Sequence, residues 1–196
     1  MPCLISNGRT EQCKDSISGI QAVYLINFGN YDPDPAPSGD VTYDVTPGFE
    51  DQITAIALTP ISPAVTSSIY KYELKGNNGF NTTMNTSRDN GTTFFTQTLT
   101  IELKRQDPVF HKQFKILAYG RPHIVVRTNG NQFFLAGLYR GCDATAGSVE
   151  SGIQYGDFNG YKITFEAMEE KPASFLDCNT EADLLTLLGS PTLVTS

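Results

Sequence analysis

The chain has 196 residues, 39% hydrophobic and 18% charged, enough for one folded domain with a real core and unlike a disordered segment. Its net charge of −7 excludes the basic footprint that tight duplex binding needs. No apolar run reaches the roughly 20 residues of a membrane-spanning helix.

Residues 1–16 are polar and irregular, with Asn7-Gly8 as a turn. They show no basic region followed by an apolar one, so no secretory signal is expected. Residues 17–28 hold Ile20, Val23, Tyr24, Leu25 and Ile26 and predict a buried strand that stops at Gly29. Residues 31–39 carry Pro33, Pro35 and Pro37, which cannot donate to a strand ladder, so a surface loop is expected. Its aspartates miss calcium-loop spacing. Residues 41–45 and 52–58 predict two further strands, the second ended by Pro60 and Pro63.

Residues 69–103 read as a long β-hairpin, the element around which the chain is organised. In the second arm Phe95, Leu99, Ile101 and Leu103 alternate with Thr96, Thr98, Thr100 and Glu102. In the first arm Tyr70, Tyr72 and Leu74 alternate with Lys71, Glu73 and Lys75. Between them lies an Asn/Gly/Thr-rich stretch, 77–91, with Phe80 and Met84 at even spacing. A two-stranded ribbon is marginal alone in water, so the hairpin is expected to finish its sheet on a neighbouring copy. The candidate subunit-interface residues are Tyr70, Tyr72, Leu74, Phe80, Met84, Phe95, Leu99, Ile101 and Leu103. Three Asn-x-Ser/Thr triplets, at Asn81, Asn85 and Asn90, read as strand and turn rather than glycan acceptors.

Asp107 as cap, Pro108 at the first helical position and Gly120 as stop predict an amphipathic helix over about 107–119. Phe110, Phe114 and Leu117 share its inner face, and His111 lies on its surface. A hairpin with a type I′ Asn129-Gly130 turn follows. Residues 138–152 read as a loop. The last strong strand places Tyr161, Ile163, Phe165 and Ala167 on one face. Glu169 and Glu170 then point to opposite sides. Residues 181–188 predict a short helix capped by Asn179 or Thr180, within a C-terminal arm, 177–196, that follows a single β domain, 1–176.

Chemistry has little to stand on. Cys3, Cys13, Cys142 and Cys178 lack metal-ligand spacing and read as thiols, with a Cys3–Cys13 bridge left open. No nucleophile elbow, phosphate loop or metalloprotease motif is present. No catalytic residue, metal site or cofactor is assigned, and the chain reads as a non-enzyme.

The order of elements over residues 69–176, with the stretch Gly156-Asp157-Phe158-Asn159-Gly160-Tyr161 and the end Glu169-Glu170-Lys171-Pro172-Ala173, resembles the tail tube (major tail) proteins of tailed bacteriophages. That resemblance implies a mainly β fold, a β-sandwich or rolled sheet with one flanking helix, related to the tube rings of type VI secretion systems. It implies a virion protein, made in the host cytoplasm, whose six copies form rings. The rings stack into a tube through which DNA passes without specific binding. Its partners would be its own copies and other tail or neck proteins, with no membrane contact. Neck, terminator and hub rings share that fold. The reading from a different class is a β-sandwich carbohydrate-binding module or adhesin presenting loops such as 31–39.

Overall fold

The computed structural model describes residue 9 and residues 17–28, 41–43, 52–56 and 68–195. The fold is mainly β, with two sheets and two helices among these residues. The elements are β1 (Ile20–Ile26), β2 (Val41–Tyr43), β3 (Gln52–Ile56), β4 (Ser68–Glu73), β5 (Gly79–Ser87), β6 (Thr92–Lys104) and α1 (Pro108–Leu117). Then come β7 (His123–Thr128), β8 (Phe133–Ala136), β9 (Asp143–Glu150), β10 (Gly160–Glu169), β11 (Ser174–Leu176), α2 (Glu181–Leu187) and β12 (Thr192–Val194). One sheet has eight strands in the order β12-β4-β1-β7-β8-β11-β3-β2. The other has four, β5-β6-β10-β9.

The eight-stranded sheet is apolar on both faces, which is why β1 reads as a nearly continuous hydrophobic run. Val23 and Leu25 of β1, with Ile124 and Val126 of β7, meet Leu99, Ile101, Ile163 and Phe165 of the four-stranded sheet. Tyr24 and Ile26, with Val125, Phe133 and Leu135, form a second core on the opposite face, closed by Leu184, Leu187 and Leu188 at α2. Burying a large aliphatic or aromatic side chain stabilises by about 1.5–3 kcal/mol. The layers are therefore α2, the eight-stranded sheet and the four-stranded sheet.

Helix α1 lies against the four-stranded sheet. Asp107 accepts the Phe110 N–H at 3.0 Å and Pro108 opens the helix, as its sequence predicts. Phe110 and Phe114 pack on Tyr161, with ring centroids 4.8 and 5.4 Å away. Gly147 of β9 makes room, since a Cβ there would sit 2.9 Å from the Phe114 ring.

Four expectations need correction. The first arm of the predicted hairpin does not pair with the second. Residues 68–73 belong to the eight-stranded sheet between β1 and β12, and the hairpin partner of β6 is β5, with β10 on its other side. The stretch expected as connection is thus mostly strand, and the turn shrinks to 88–91. The stretch 138–152 is a loop only to Cys142, after which β9 pairs with β10. Here small and polar residues take strand geometry because the long β10 supplies a ladder. The Asn129-Gly130 turn is a three-residue loop whose left-handed position is Asn131, at φ 57°. The C-terminal residues are no separate arm. Glu181 accepts from the Tyr24 hydroxyl at 2.8 Å and pairs with Lys71 at 2.7 Å, seating α2 on the core. Burial pushes the Glu181 carboxyl up, but Lys71 and Tyr24 outweigh it and hold it below its ordinary value. The loop expected at 31–39 and the possible Cys3–Cys13 bridge lie outside the described residues.

Candidate functional site

The nine interface candidates separate by burial. Leu99 and Ile101 are 1% exposed and Leu74 is buried, all three inside the chain's own core. Tyr70, Tyr72, Phe80 and Leu103 are half-buried and pack on that same core. Phe95 is half-buried beneath the hairpin end, and Met84 opposite it is 61% exposed. The period-two pattern correctly marked a buried face, but the eight-stranded sheet covers that face. Leu74, Leu99 and Ile101 are not available to a neighbour. The accessible part of the hairpin is its end, where Met84 stands level with the last rung of β10 and Phe94 one residue beyond it.

What the four-stranded sheet leaves open is its edges. Among the described residues, β5 pairs only with β6 and β9 only with β10. β5 presents nine residues without a charge, and β9 presents eight with charges only at its ends, Asp143 and Glu150. Proteins normally blunt such edges with lysine, proline or a covering element, because unpaired N–H and C=O groups template further pairing.

The solvent face of this sheet is polar except for Phe94 and Met168 toward the hairpin end. Across it run Asn81, Thr83 and Asn85 of β5, then Thr96, Thr98, Thr100 and Glu102 of β6. Lys162, Thr164 and Glu166 of β10 follow, then Ser148 and Glu150 of β9. Asn85 donates to the Thr96 hydroxyl at 2.9 Å. Lys162 pairs with Glu150 at 3.3 Å and lies 4.0 Å from Glu102. The Glu150 carboxyl is held below its ordinary range by the Ser148 hydroxyl and Lys162. Glu166 stands opposite Asp143, which pairs with Arg121 at 3.3 Å, so Glu166 adds the further carboxylate on this face. The face is rich in hydroxyls and mildly acidic.

Two further exposed features flank the sheet. The 151–159 loop between β9 and β10 holds Ile153 and Tyr155 fully in solvent. Asp157 braces it by accepting the Ile153 and Gln154 N–H groups at 2.9 and 2.8 Å, and those bonds lower its pKa. On the outer side of α1, Val109, Ile116 and the following Tyr119 are exposed.

Neither histidine is placed as a base beside a nucleophile. His123 is buried, with Nδ1 against the Gly137 carbonyl and its ring stacked on Phe28. Burial lowers its pKa, against the Gly137 carbonyl, which raises it. His111 is on the helix surface, as its sequence predicts. No group of three metal-ligating side chains occurs among the described residues. Cys142 and Cys178 are buried free thiols.

Comparison with family models, curated proteins and solved structures returns no match. The functional reading therefore rests on the geometry and on the sequence resemblance given above. Sequence reasoning missed the β9 edge and the braced 151–159 loop. Even spacing of Phe80 and Met84 was the available signal for β5, whereas the small and polar residues of β9 carry no signal along the sequence.

Proposed function

We propose that this chain is a structural ring subunit of a tailed-phage tail tube, assembled by strand pairing between copies. The observation that carries the reading is one short sheet with two long, charge-poor edges on opposite sides. Successive strands of that sheet reverse direction, so β5 and β9 are antiparallel to each other. Rotating one copy about an axis along the strands brings its β5 against the next copy's β9. The alternation of directions continues unbroken. Such a contact is head-to-tail, and a head-to-tail contact either closes into a ring or runs on as a filament. Closure removes both edges.

Six copies, the number the family resemblance implies, would contribute twenty-four strands. At ~4.8 Å between strands and the usual tilt, that barrel is roughly 45–50 Å across at the backbone, room enough for a duplex. The eight-stranded sheet already occupies one face, which leaves the hydroxyl-rich, acidic face to line the bore. A wall of that charge repels phosphates rather than holding them. The same edge chemistry would serve a neck, terminator or hub ring. Negative-stain electron microscopy of the purified protein tests the reading. Six-fold rings or stacked tubes are the expected images. A monomer at every concentration, above all one that binds glycans, would overturn it.

A further inference from the structure

Four Asn-Gly pairs lie among the described residues: Asn78-Gly79, Asn90-Gly91, Asn129-Gly130 and Asn159-Gly160. In such a pair the following backbone nitrogen can approach the side-chain amide carbon, because glycine has no Cβ to obstruct it. The fold restrains three of the four. Asn78 is buried, and its Oδ1 accepts the Glu102 N–H at 2.7 Å. Asn129 donates Nδ2 to the Ser18 carbonyl at 2.9 Å and its backbone N–H to Gly19 at 3.0 Å. Asn159 gives its carbonyl to the Arg105 N–H at 2.7 Å, and Gly160 is paired on both sides, with Lys104 and Glu150.

Asn90 is different. It is exposed on the β5–β6 turn, and only its backbone is engaged, the N–H reaching Ser87 Oγ at 3.3 Å. Its side chain makes no hydrogen bond among the described residues. Gly91 has φ 62° and open space where a Cβ would stand.

We propose that Asn90 is a site of spontaneous deamidation. The Gly91 backbone nitrogen gives up its proton to hydroxide and attacks Asn90 Cγ. A carbon–nitrogen bond forms and the side-chain nitrogen leaves as ammonia, with a proton from water. Water then opens the five-membered succinimide at either carbonyl, yielding aspartate or isoaspartate. No electrons are transferred. Each event adds a carboxylate beside Asp89, and the isoaspartate form also lengthens the backbone of the turn by one methylene. That this ageing would impair subunit pairing rests on the proposed function; the reaction itself does not.

The test is incubation of the full chain under native, mildly alkaline conditions, followed by trypsin digestion and mass spectrometry. The tryptic peptide spanning residues 89–104 contains Asn90 as its one asparagine. It should gain the mass of exchanging NH2 for OH roughly tenfold or more faster than the peptides holding Asn129 and Asn159, because those sites must first break a hydrogen bond or open locally. In concentrated urea the rates should converge. An Asn90→Gln chain should lose the gain in that peptide and keep the slower gains elsewhere. Equal native rates at all three sites, a faster reaction at Asn129 or Asn159, or the same ratio in urea as in native buffer would each overturn the proposal.

Discussion

Glu169 is the one carboxylate buried among the described residues, at 4% exposed. It accepts the backbone N–H groups of Tyr139 and Arg140 at 3.0 and 2.9 Å. Nearby, Gln97 accepts the Gly137 N–H at 3.0 Å and donates to the Lys171 carbonyl at 3.2 Å. Two side chains from the four-stranded sheet thus hold the 137–142 turn of the other sheet in place. Burial raises the Glu169 carboxyl above its ordinary value, against the two N–H donors that pull it down. A raised folded pKa means that the folded chain holds the proton more tightly than the unfolded one. The associated stability is therefore full below the unfolded carboxyl value and is lost as pH rises through the raised value. Glu169→Gln keeps an acceptor without the charge, so its stability relative to the parent should improve as pH rises from acidic to neutral. Urea unfolding across that range measures it. Glu169→Ala abandons both donors and should cost about 2–4 kcal/mol at acidic pH, less as pH rises and the parent loses its own share. That Glu169 and Glu170 face opposite ways was legible in the sequence. That Glu169 braces a turn thirty residues away was not, because no local pattern records a partner so distant.

At the scale of elements, burial was easier to read than pairing. The alternation in β6 named its inner face correctly, and the cap, proline and glycine of α1 fixed that helix. Alternation does not say which strand lies next door, so the sequence predicts 69–75 as the partner of 92–103. Both have the same period and both face the same core. The consequence is testable. Leu99→Ala should cost about 2–5 kcal/mol of monomer stability, read from denaturant melts, rather than merely freeing subunits. Placing lysines on the exposed edge, Thr83→Lys with Asn85→Lys, should leave the melt of the monomer nearly unchanged and stop assembly on a sizing column. Truncation after Asp177 should abolish cooperative unfolding, since it strips Leu184, Leu187 and Leu188 from a core they help close. A truncated chain with a sharp transition would restore the C-terminal residues as a detachable arm. Gly147→Ala should drive Cβ into the Phe114 ring and cost about 1–3 kcal/mol as α1 shifts.

For the whole molecule, the mainly β composition, the flanking helix and the acidic balance were readable from 196 residues. The two-faced central sheet was not, because β11 and β12 are only three residues each and pair with β3 and β4 across long sequence gaps. The described residues pack into two cores, and the longest open edges are β5 and β9 of the four-stranded sheet, since β12 and β2, which end the other sheet, are three residues each. In the ring proposed above, β5 of one copy pairs with β9 of the next, so each contact joins two different strands. Mixing one population carrying Asn81→Cys on β5 with a second carrying Ala146→Cys on β9, both with Cys3 and Cys13 changed to serine, probes this with a short thiol cross-linker. Covalent dimers containing one chain of each kind are predicted, with little product from either population alone. Cross-linking that is equally strong within a single population, or rings that assemble without any mixed product, would contradict pairing of β5 with β9.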